Sequence, residues 1–218
     1  MSHWFMEGCW GFCRARIMEV VSIKFSVYRN SPMYGMVNKA VEDMVVMHHG
    51  EPVWEQIKAK AGVDVDVFLS NESYSDDMTY NLVGAASEVL KVPAEQILMG
   101  FGEHWVLHTA QEGYGGLMQA AGKSLPEFLK NLPDFHSRVV MIFPKLQPPR
   151  FECTDLTDRS LKLHYISHRP GLAPFVVGLM HGLGKMFKTP VTVRQTETKD
   201  QGAVHDVFEV TWTPAPAV

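Results

Sequence analysis

The chain has 218 residues, of which 46% are hydrophobic, enough apolar material for one large domain or two small ones. Its net charge of −4 comes without a basic run, which argues against binding to nucleic acid or to an anionic membrane. Cys9, Cys13 and Cys153 are too few and too scattered for a disulfide framework, so a reducing, cytoplasmic location is expected. No apolar stretch reaches the roughly 20 residues of a membrane helix, and the start lacks the pattern of a signal peptide.

The first 32 residues differ from the rest of the chain. They are rich in aromatic and sulfur side chains, and they end at the breaker cluster Arg29-Asn30-Ser31-Pro32. Residues 17–28 alternate weakly enough to be a strand, but nothing nearby offers a partner. Residues 1–32 are therefore interpreted as an extension that is disordered or lies outside the domain. Cys9 and Cys13 have helical spacing, but two thiols without a second pair are a weak zinc signal.

Between Tyr34 and Pro144 the spacing of the apolar residues is helical. Gly50 and Gly62 are expected to end the first two helices. A turn is expected at residues 71–77. The predicted helices cover residues 34–50, 52–61, 77–90, 93–109, 114–121 and 125–144, and Pro133 is expected to interrupt the last of them.

From Phe151 onwards the apolar period changes to two. Two hairpins are predicted, one across residues 151–165 and one across residues 192–212, with a helix over residues 171–187 between them. The sequence therefore predicts an α+β fold in which a helical N-terminal part packs on a C-terminal antiparallel sheet with one or more helices. Residues 33–149 form the mainly helical part, residues 150–212 the strands and a helix, and residues 213–218 a tail.

A group of hydrogen-bond donors is predicted near the end of the first hairpin. If the strand continues through Arg169, alternation places Tyr165, Ser167 and Arg169 on one face. Three donors on one face suggest an anionic ligand. Arg169 offers a fork suited to a carboxylate and the two hydroxyls can share a second one, so a ligand with two carboxylates would be well held.

Ten histidines compete for the role of a metal ligand. His104 and His108 are four residues apart and could form a two-histidine metal face, but without a metalloprotease pattern they are interpreted as a solvated helix end. Other histidines are set aside by their context. Exposed-looking segments carry His3 and His205, and the adjacent His48 and His49 diverge on a helix. The alternation along the strand turns His164 and His168 away from the three donors.

His136 differs from these because apolar residues surround it on its helix. A buried imidazole needs a hydrogen-bond partner or a metal to offset its loss of water. Taken alone, such a residue is more often a satisfied core histidine than a ligand.

Together these features resemble the H-NOX family, the haem nitric oxide/oxygen-binding domains that include the haem domain of soluble guanylate cyclase. The opening Met33-Tyr34-Gly35-Met36-Val37-Asn38-Lys39-Ala40 resembles the start of the family. Tyr165-x-Ser167-x-Arg169 matches its Tyr-x-Ser-x-Arg signature, and His136 falls where its proximal iron ligand lies. The resemblance runs from Met33 to about Trp212, and it implies haem b (iron protoporphyrin IX) buried between the helical part and the sheet.

The resemblance also implies a role for individual residues. His136 would be the axial iron ligand. Tyr165, Ser167 and Arg169 would bind the two haem propionates. The remaining positions would line the haem, with Pro149 pressing on the porphyrin and Trp105 on the distal side: Pro149, Trp105, Tyr34 and Val37.

Oxygen-binding members of the family place a distal tyrosine at about the position of Pro174 or Phe175. These residues supply no donor. Bound oxygen gains from a hydrogen bond, whereas nitric oxide binds ferrous haem well without one. The missing hydrogen bond is worth about 1.5–3 kcal/mol, a ten- to hundredfold effect on oxygen affinity, so nitric oxide selectivity is expected. The indole N–H of Trp105 is the one group that could oppose it.

The resemblance implies a sensor with no enzymatic activity of its own. Nitric oxide, or carbon monoxide, would bind trans to His136, and breaking of the iron–His136 bond would signal to a separate protein. Stand-alone bacterial members suggest a histidine kinase or a diguanylate cyclase as that protein. Two alternatives are a peroxidase-type haem enzyme using His104 as a distal acid-base group, and a module without haem that binds a carboxylate ligand through Arg169.

Overall fold

The computed structural model describes residues 32–142 and 147–213. The strands of this described chain are β1 (Pro32–Tyr34), β2 (Ser73–Ser75), β3 (Arg150–Thr154), β4 (Ser160–Ile166), β5 (Val191–Glu197) and β6 (Asp206–Trp212). Its helices are α1 (Gly35–His49), α2 (Glu51–Ala61), α3 (Asp76–Leu90), α4 (Ala94–His104), α5 (Ala110–Ala121), α6 (Leu125–Ile142) and α7 (Ala173–Met186). Two sequence predictions lie outside the described residues, the Cys9–Cys13 pair and the strand at 17–28. Residues 143–146 and 214–218 also lie outside them.

The first two helices end where the sequence predicts. Gly50 follows α1 with a φ of +83°, and Gly62 follows α2 in the left-handed conformation with a φ of +66°. Both angles favour glycine, which has no Cβ to collide with the backbone. The turn predicted at residues 71–77 instead contains the short strand β2, which pairs antiparallel with β1.

The four longer strands form one antiparallel sheet in the order β3-β4-β6-β5. Both predicted hairpins are confirmed, because β3 pairs with β4 and β5 with β6. Alternation along β4 buries Leu161, Leu163 and Tyr165 and leaves Lys162 exposed. The predicted α+β fold is confirmed.

Helix α6 differs from its prediction at Pro133. The helix runs without a break from Leu125 to Ile142, with Pro133 inside it. A proline lacks the N–H that would bond to the carbonyl four residues earlier, here that of Leu129. The Cys153 thiol on β3 donates to this carbonyl at 3.2 Å instead. The backbone oxygen freed by Pro133 is therefore satisfied from the sheet, and the helix continues to His136 and beyond.

Buried apolar residues form two clusters. The helix core belongs to α1–α4 and the loop after α2, and includes Val41, Trp54, Ile57 and Leu82. The sheet core joins α5, α6 and α7 to the sheet, and includes Phe128, Leu161, Met180 and Phe208. Trp105 packs against both cores.

Helices α4 and α7 cross at very close range and join the two cores. A Cβ at Gly102 would lie 2.2 Å from the Phe175 carbonyl oxygen, and one at Gly178 would lie 2.0 Å from that of Met99. Only glycine permits this approach. The crossing brings Phe175 against the helix core. Within residues 32–142 and 147–213, no helix combines the length and apolar character needed to cross a membrane.

Candidate haem site

A large, mostly apolar cavity lies between the helix core and the sheet core. It contains about 1260 Å³ of space free of protein atoms, part of it open to solvent. Its walls are mostly apolar with a few polar groups, as in sites that bind an apolar ligand. All nine residues proposed from the sequence line it: Tyr34, Val37, Trp105, His136, Pro149, Tyr165, Ser167, Arg169 and Phe175.

His136 presents its imidazole to this cavity from α6. Its ring stacks on that of Phe151, with centroids 5.3 Å and planes 21° apart, and also contacts Phe135. Its Nδ1 atom is buried and has no hydrogen-bond partner among the described residues. Burial lowers the pKa of His136 to about 4, so the ring is neutral at physiological pH. A neutral imidazole is the form that binds a metal ion.

The three predicted donors lie together, but not on one strand face. Tyr165 is buried near the end of β4, whereas Ser167 and Arg169 follow the strand, which ends at Ile166. The Arg169 backbone N–H donates to Ser167 Oγ at 3.1 Å, which folds the segment back. Burial raises the pKa of Tyr165 and its hydrogen bond with Ser167 lowers it, with burial the larger effect. The prediction of one strand face is wrong, although all three side chains reach the cavity.

Arg169 has a partner that the sequence did not reveal. Its Nε and Nη2 atoms donate to the two carboxylate oxygens of Asp76, at 2.8 and 3.3 Å, and its Nη1 donates to the Gln147 carbonyl at 3.0 Å. Asp76 begins α3, 93 residues away in the sequence. The two acidic residues Asp76-Asp77 indicate only a helix start, and nothing in the sequence pairs one of them with Arg169.

A second bond ties α3 to the same segment. The Tyr80 hydroxyl, one turn after Asp76, donates to the Pro170 carbonyl at 2.9 Å. Burial and the Asp76 charge both raise the pKa of Tyr80, so its hydroxyl keeps the proton. Together, Asp76 and Tyr80 hold α3 of the helix core to the segment that follows β4 of the sheet core.

Three aromatic rings form another part of the wall. Phe175 lies against Phe101 at a centroid distance of 5.0 Å and against Trp105 at 6.4 Å, and Trp105 meets Phe101 edge to face at 6.0 Å. Trp105 reaches the cavity from a π-helical turn, Trp105–Thr109, that joins α4 to α5. The sequence predicts an ordinary helix there, because a π turn has no clear pattern of its own.

The other histidines depart from their predictions in two places. His104 is 5% exposed, so it does not lie at a solvated helix end, and it is not among the residues that line the cavity. It is therefore poorly placed for the distal role required of a peroxidase. His205 contacts His164, with its Nε2 atom 2.9 Å from His164 Nδ1.

These features fit a haem group. The cavity is large and apolar, as a porphyrin requires. His136 brings to it a neutral ring whose buried Nδ1 has no partner within residues 32–142 and 147–213. Hydroxyl and guanidinium groups gather at Tyr165, Ser167 and Arg169. A proximal histidine is the usual ligand of haem iron in gas-binding proteins.

Comparison with known proteins decides the family. The model of the Haem-NO-binding family matches residues 34–195. The chain belongs to this family. Soluble guanylate cyclase gcy-34 of Caenorhabditis elegans is 32% identical over 157 residues, which are 71% of this chain and 23% of that protein. Soluble guanylate cyclase gcy-32 of the same organism is 30% identical over 177 residues, which are 79% of this chain and 26% of that protein.

A solved structure shows the same fold. The crystal structure of an H-NOX protein from S. oneidensis in the Fe(II)NO ligation state superposes with a TM-score of 0.75 at 21% identity, covering 84% of this chain and 100% of that one. The chain spans about a quarter of the length of the two cyclases. The family makes it a haem-binding domain of the gas-sensor class.

Proposed function

We propose that this haem-NO-binding domain senses nitric oxide through haem b held by His136, and that release of His136 from the iron is the signal passed to an effector protein. The observation that carries the proposal is the wall of Phe101, Trp105 and Phe175 in the same cavity as His136. Bound haem would supply a ferrous iron able to take up a diatomic gas.

The properties of His136 suit an iron ligand that must both bind and dissociate. With a pKa of about 4 it carries no proton to lose before it binds, and once released it stays neutral at physiological pH. Its stacking on Phe151 ties the ring to β3, so a change at His136 reaches both α6 and the sheet.

Tyr165, Ser167 and Arg169 are proposed to bind the propionates. Arg169 already donates to Asp76, but a guanidinium has five N–H groups and can serve more than one acceptor. In this arrangement Asp76 orients Arg169, and the Tyr165 and Ser167 hydroxyls supply neutral donors beside it. Tyr34, Val37 and Pro149 are proposed to contact the porphyrin itself.

The distal wall favours nitric oxide over oxygen. Phe175 replaces a potential donor with a ring that packs on Phe101 and Trp105. Bound oxygen would lack a hydrogen bond worth about 1.5–3 kcal/mol. Nitric oxide does not need that bond, and carbon monoxide is a second candidate ligand.

The effector is proposed to be a separate signalling protein such as a histidine kinase or a diguanylate cyclase. The resemblance to the two soluble guanylate cyclases makes a guanylate cyclase a further candidate. The end of α6 offers an exposed apolar surface that an effector could contact, because Met141 is 81% and Ile142 55% exposed.

The absorption spectrum of the reduced protein tests the proposal. In air it should remain that of five-coordinate ferrous haem, and nitric oxide should convert it to a five-coordinate nitrosyl spectrum as His136 leaves. A stable oxygen complex in air would contradict the proposed selectivity. A six-coordinate nitrosyl spectrum would contradict histidine release, and purification without a Soret band after haem supply would contradict haem binding.

A further inference from the structure

Helix α5 carries three glycines around one tyrosine, in the run Gly113-Tyr114-Gly115-Gly116. Glycine weakens the interior of a helix, because it has no side chain to restrict the backbone. None of the three has a positive φ, and a Cβ added at any of them would meet no atom of the described chain within 4 Å beyond its own stretch of helix. Neither a left-handed backbone nor close packing therefore requires these glycines. What they give the helix is freedom to change its conformation.

The helix bends within this run. Tyr114 has a φ of −140° and a ψ of 19°, which lie outside the helical range, although α5 continues on both sides of it. Sharp bends in helices are commonly found at glycines, where no Cβ restrains the backbone. The bend and the glycines together make residues 113–116, here called the glycine run, the point at which α5 can most easily move.

Tyr114 extends from the glycine run to the haem cavity. Its side chain lines the cavity, and its hydroxyl donates to the Sδ atom of Met36 on α1 at 3.2 Å. Met36 lines the cavity as well. Burial raises the pKa of Tyr114, so the hydroxyl keeps its proton and remains a donor. A thioether is a weak acceptor, so this bond between α5 and α1 is one that breaks readily.

The wall of the cavity is one helix thick at the glycine run. Gly113 and Gly116 are exposed and do not line the cavity, whereas Tyr114 between them does. The run therefore has solvent on one side and the cavity on the other. Movement of the run away from α1 would break the bond between Tyr114 and Met36 and open a path through the wall.

We infer that the glycine run is a gate through which a diatomic gas enters and leaves the haem cavity, and that the hydrogen bond from Tyr114 to Met36 keeps it closed. The inference rests on the proposed function, since the gate has a role only if the cavity holds a gas-binding haem. A gate lies on the path of the gas and does not contact the bound gas. It therefore changes the rates of entry and exit by the same factor and leaves the affinity unchanged, whereas a change at Phe175 should alter the affinity.

Carbon monoxide binding to the ferrous, haem-loaded full chain tests the gate. Flash photolysis measures the association rate, and replacement of carbon monoxide by nitric oxide measures the dissociation rate. Gly113→Ala combined with Gly116→Ala should lower both rates by roughly four- to 25-fold, since each Gly→Ala change at a compatible position disfavours the opened backbone by about two- to fivefold. The affinity, which is the ratio of the two rates, should stay the same.

Gly84→Ala is the matched control for the alanine variant. Gly84 is exposed in α3, does not line the cavity, and a Cβ there also meets no atom within 4 Å among residues 32–142 and 147–213. The change should stabilise its own helix by a similar amount without altering either rate.

The bond that closes the gate has its own pair of variants. Tyr114→Phe keeps the ring and removes the hydroxyl, and it should raise both rates by roughly two- to tenfold, the worth of one hydrogen bond between uncharged groups. The same change made in Met36→Leu should add nothing further, because the bond is already lost. Additive effects of Tyr114→Phe and Met36→Leu would show that the bond does not close the gate.

Hydrogen exchange without any gas gives a measurement that does not depend on ligand binding. Amides of residues 113–117 should exchange more slowly in the double alanine variant than in the parent chain, and faster in Tyr114→Phe. Unchanged carbon monoxide rates in the double alanine variant, equal slowing in Gly84→Ala, or a change in affinity as large as the change in rate would each overturn the gate. If the nitrosyl spectrum is as proposed and the rates are unchanged, the gate fails alone; absence of a Soret band contradicts both.

Discussion

At the scale of single residues, His136 combines two properties with a place in the wall of the cavity. It is neutral because burial lowers its pKa to about 4, and its Nδ1 atom has no partner among the described residues. A side chain that only filled space would be an apolar one, which costs nothing to desolvate. The proposed role as an iron ligand would use a neutral imidazole that faces the cavity.

If His136 holds the haem iron as proposed, its replacement by Ala should remove that attachment. We expect loss of haem during purification, or retention only when imidazole is added to occupy the vacated position. The absorption spectrum of the ferrous protein measures this. His168→Ala is a matched control, since His168 also has a buried nitrogen without a described partner and does not line the cavity. An unchanged five-coordinate spectrum in His136→Ala would show that another residue holds the iron.

Phe175 decides the proposed gas selectivity. Phe175→Tyr adds a hydroxyl to a ring that lines the cavity, and it should raise oxygen affinity by roughly ten- to a hundredfold, the worth of one hydrogen bond to a charged group. Oxygen titration of the ferrous protein measures the gain. Phe175→Leu should show none, and Trp105→Phe separates any contribution of the indole N–H. Equal oxygen affinity in Phe175→Tyr and the parent chain would contradict the proposal that a missing donor at position 175 weakens oxygen binding.

Asp76 holds Arg169 in a buried ion pair. The two side chains are 8% and 10% exposed, so removing one charge leaves the other without compensation in a site with little water. Asp76→Asn should lower the free energy of unfolding by about 3–5 kcal/mol. Urea unfolding at a fixed haem concentration measures the loss. Glu88→Gln, which breaks the exposed pair with Lys60, should cost less than about 1 kcal/mol. Similar losses of unfolding free energy in both variants would contradict a stabilising role for the buried Asp76–Arg169 ion pair.

At the scale of elements, α6 depends on the sheet for its continuity. Pro133 leaves the Leu129 carbonyl without its helical partner, and the Cys153 thiol donates to it at 3.2 Å. Burial raises the pKa of Cys153 to about 11, so the thiol keeps its proton at neutral pH and remains a donor. The same helix carries His136 one turn later.

A double-mutant cycle tests this connection. Cys153→Ala should cost roughly 1–3 kcal/mol, because the Leu129 carbonyl loses its donor. Pro133→Ala restores a backbone N–H at position 133 that can serve the same carbonyl, so Cys153→Ala in that background should cost less than about 1 kcal/mol. Urea unfolding of the four proteins gives the coupling energy. Additive costs would show that the thiol and the proline act independently.

The sequence predicts these elements well where the determinant is local, and poorly where it is distant. The ends of α1 and α2 follow from Gly50 and Gly62, which act within one turn of the chain. The continuity of α6 through Pro133 depends on Cys153, which is 24 residues from Leu129. The π turn and β2 likewise depend on tertiary packing.

The same distinction holds at the candidate site. The nine residues proposed from the sequence all line one cavity. They could be identified because the Tyr-x-Ser-x-Arg motif and the family positions are read directly from the sequence. Asp76 and Tyr80, which bind Arg169 and Pro170, were missed because the contacts lie 93 and 90 residues apart. No periodic pattern encodes such a pairing.

At the scale of the whole molecule, the cavity lies between the helix core and the sheet core. The α4–α7 crossing at Gly102 and Gly178 joins them on one side, and Asp76–Arg169 joins them on another. A ligand between the cores contacts both, so whatever changes its attachment to His136 changes how the sheet core is held to the helix core. This arrangement suits a sensor that signals by a shift between two packings.

Hydrogen exchange on the ferrous protein tests that shift. Nitric oxide should increase amide exchange in the half of α6 that follows His136, because release of the imidazole removes a tether near the exposed Met141 and Ile142. The helix core around Trp54 and Ile57, both fully buried, should exchange at its former rate.

The matched control for the exchange experiment is His136→Ala reconstituted with haem and imidazole. There the ligand that leaves is a free molecule not attached to α6, so nitric oxide should change the absorption spectrum without changing exchange in the helix. If α6 exchange rises equally in this variant, the signal does not pass through the bond between His136 and the iron. If it rises only in the parent chain, the covalent link from the imidazole to α6 is what transmits the binding of the gas.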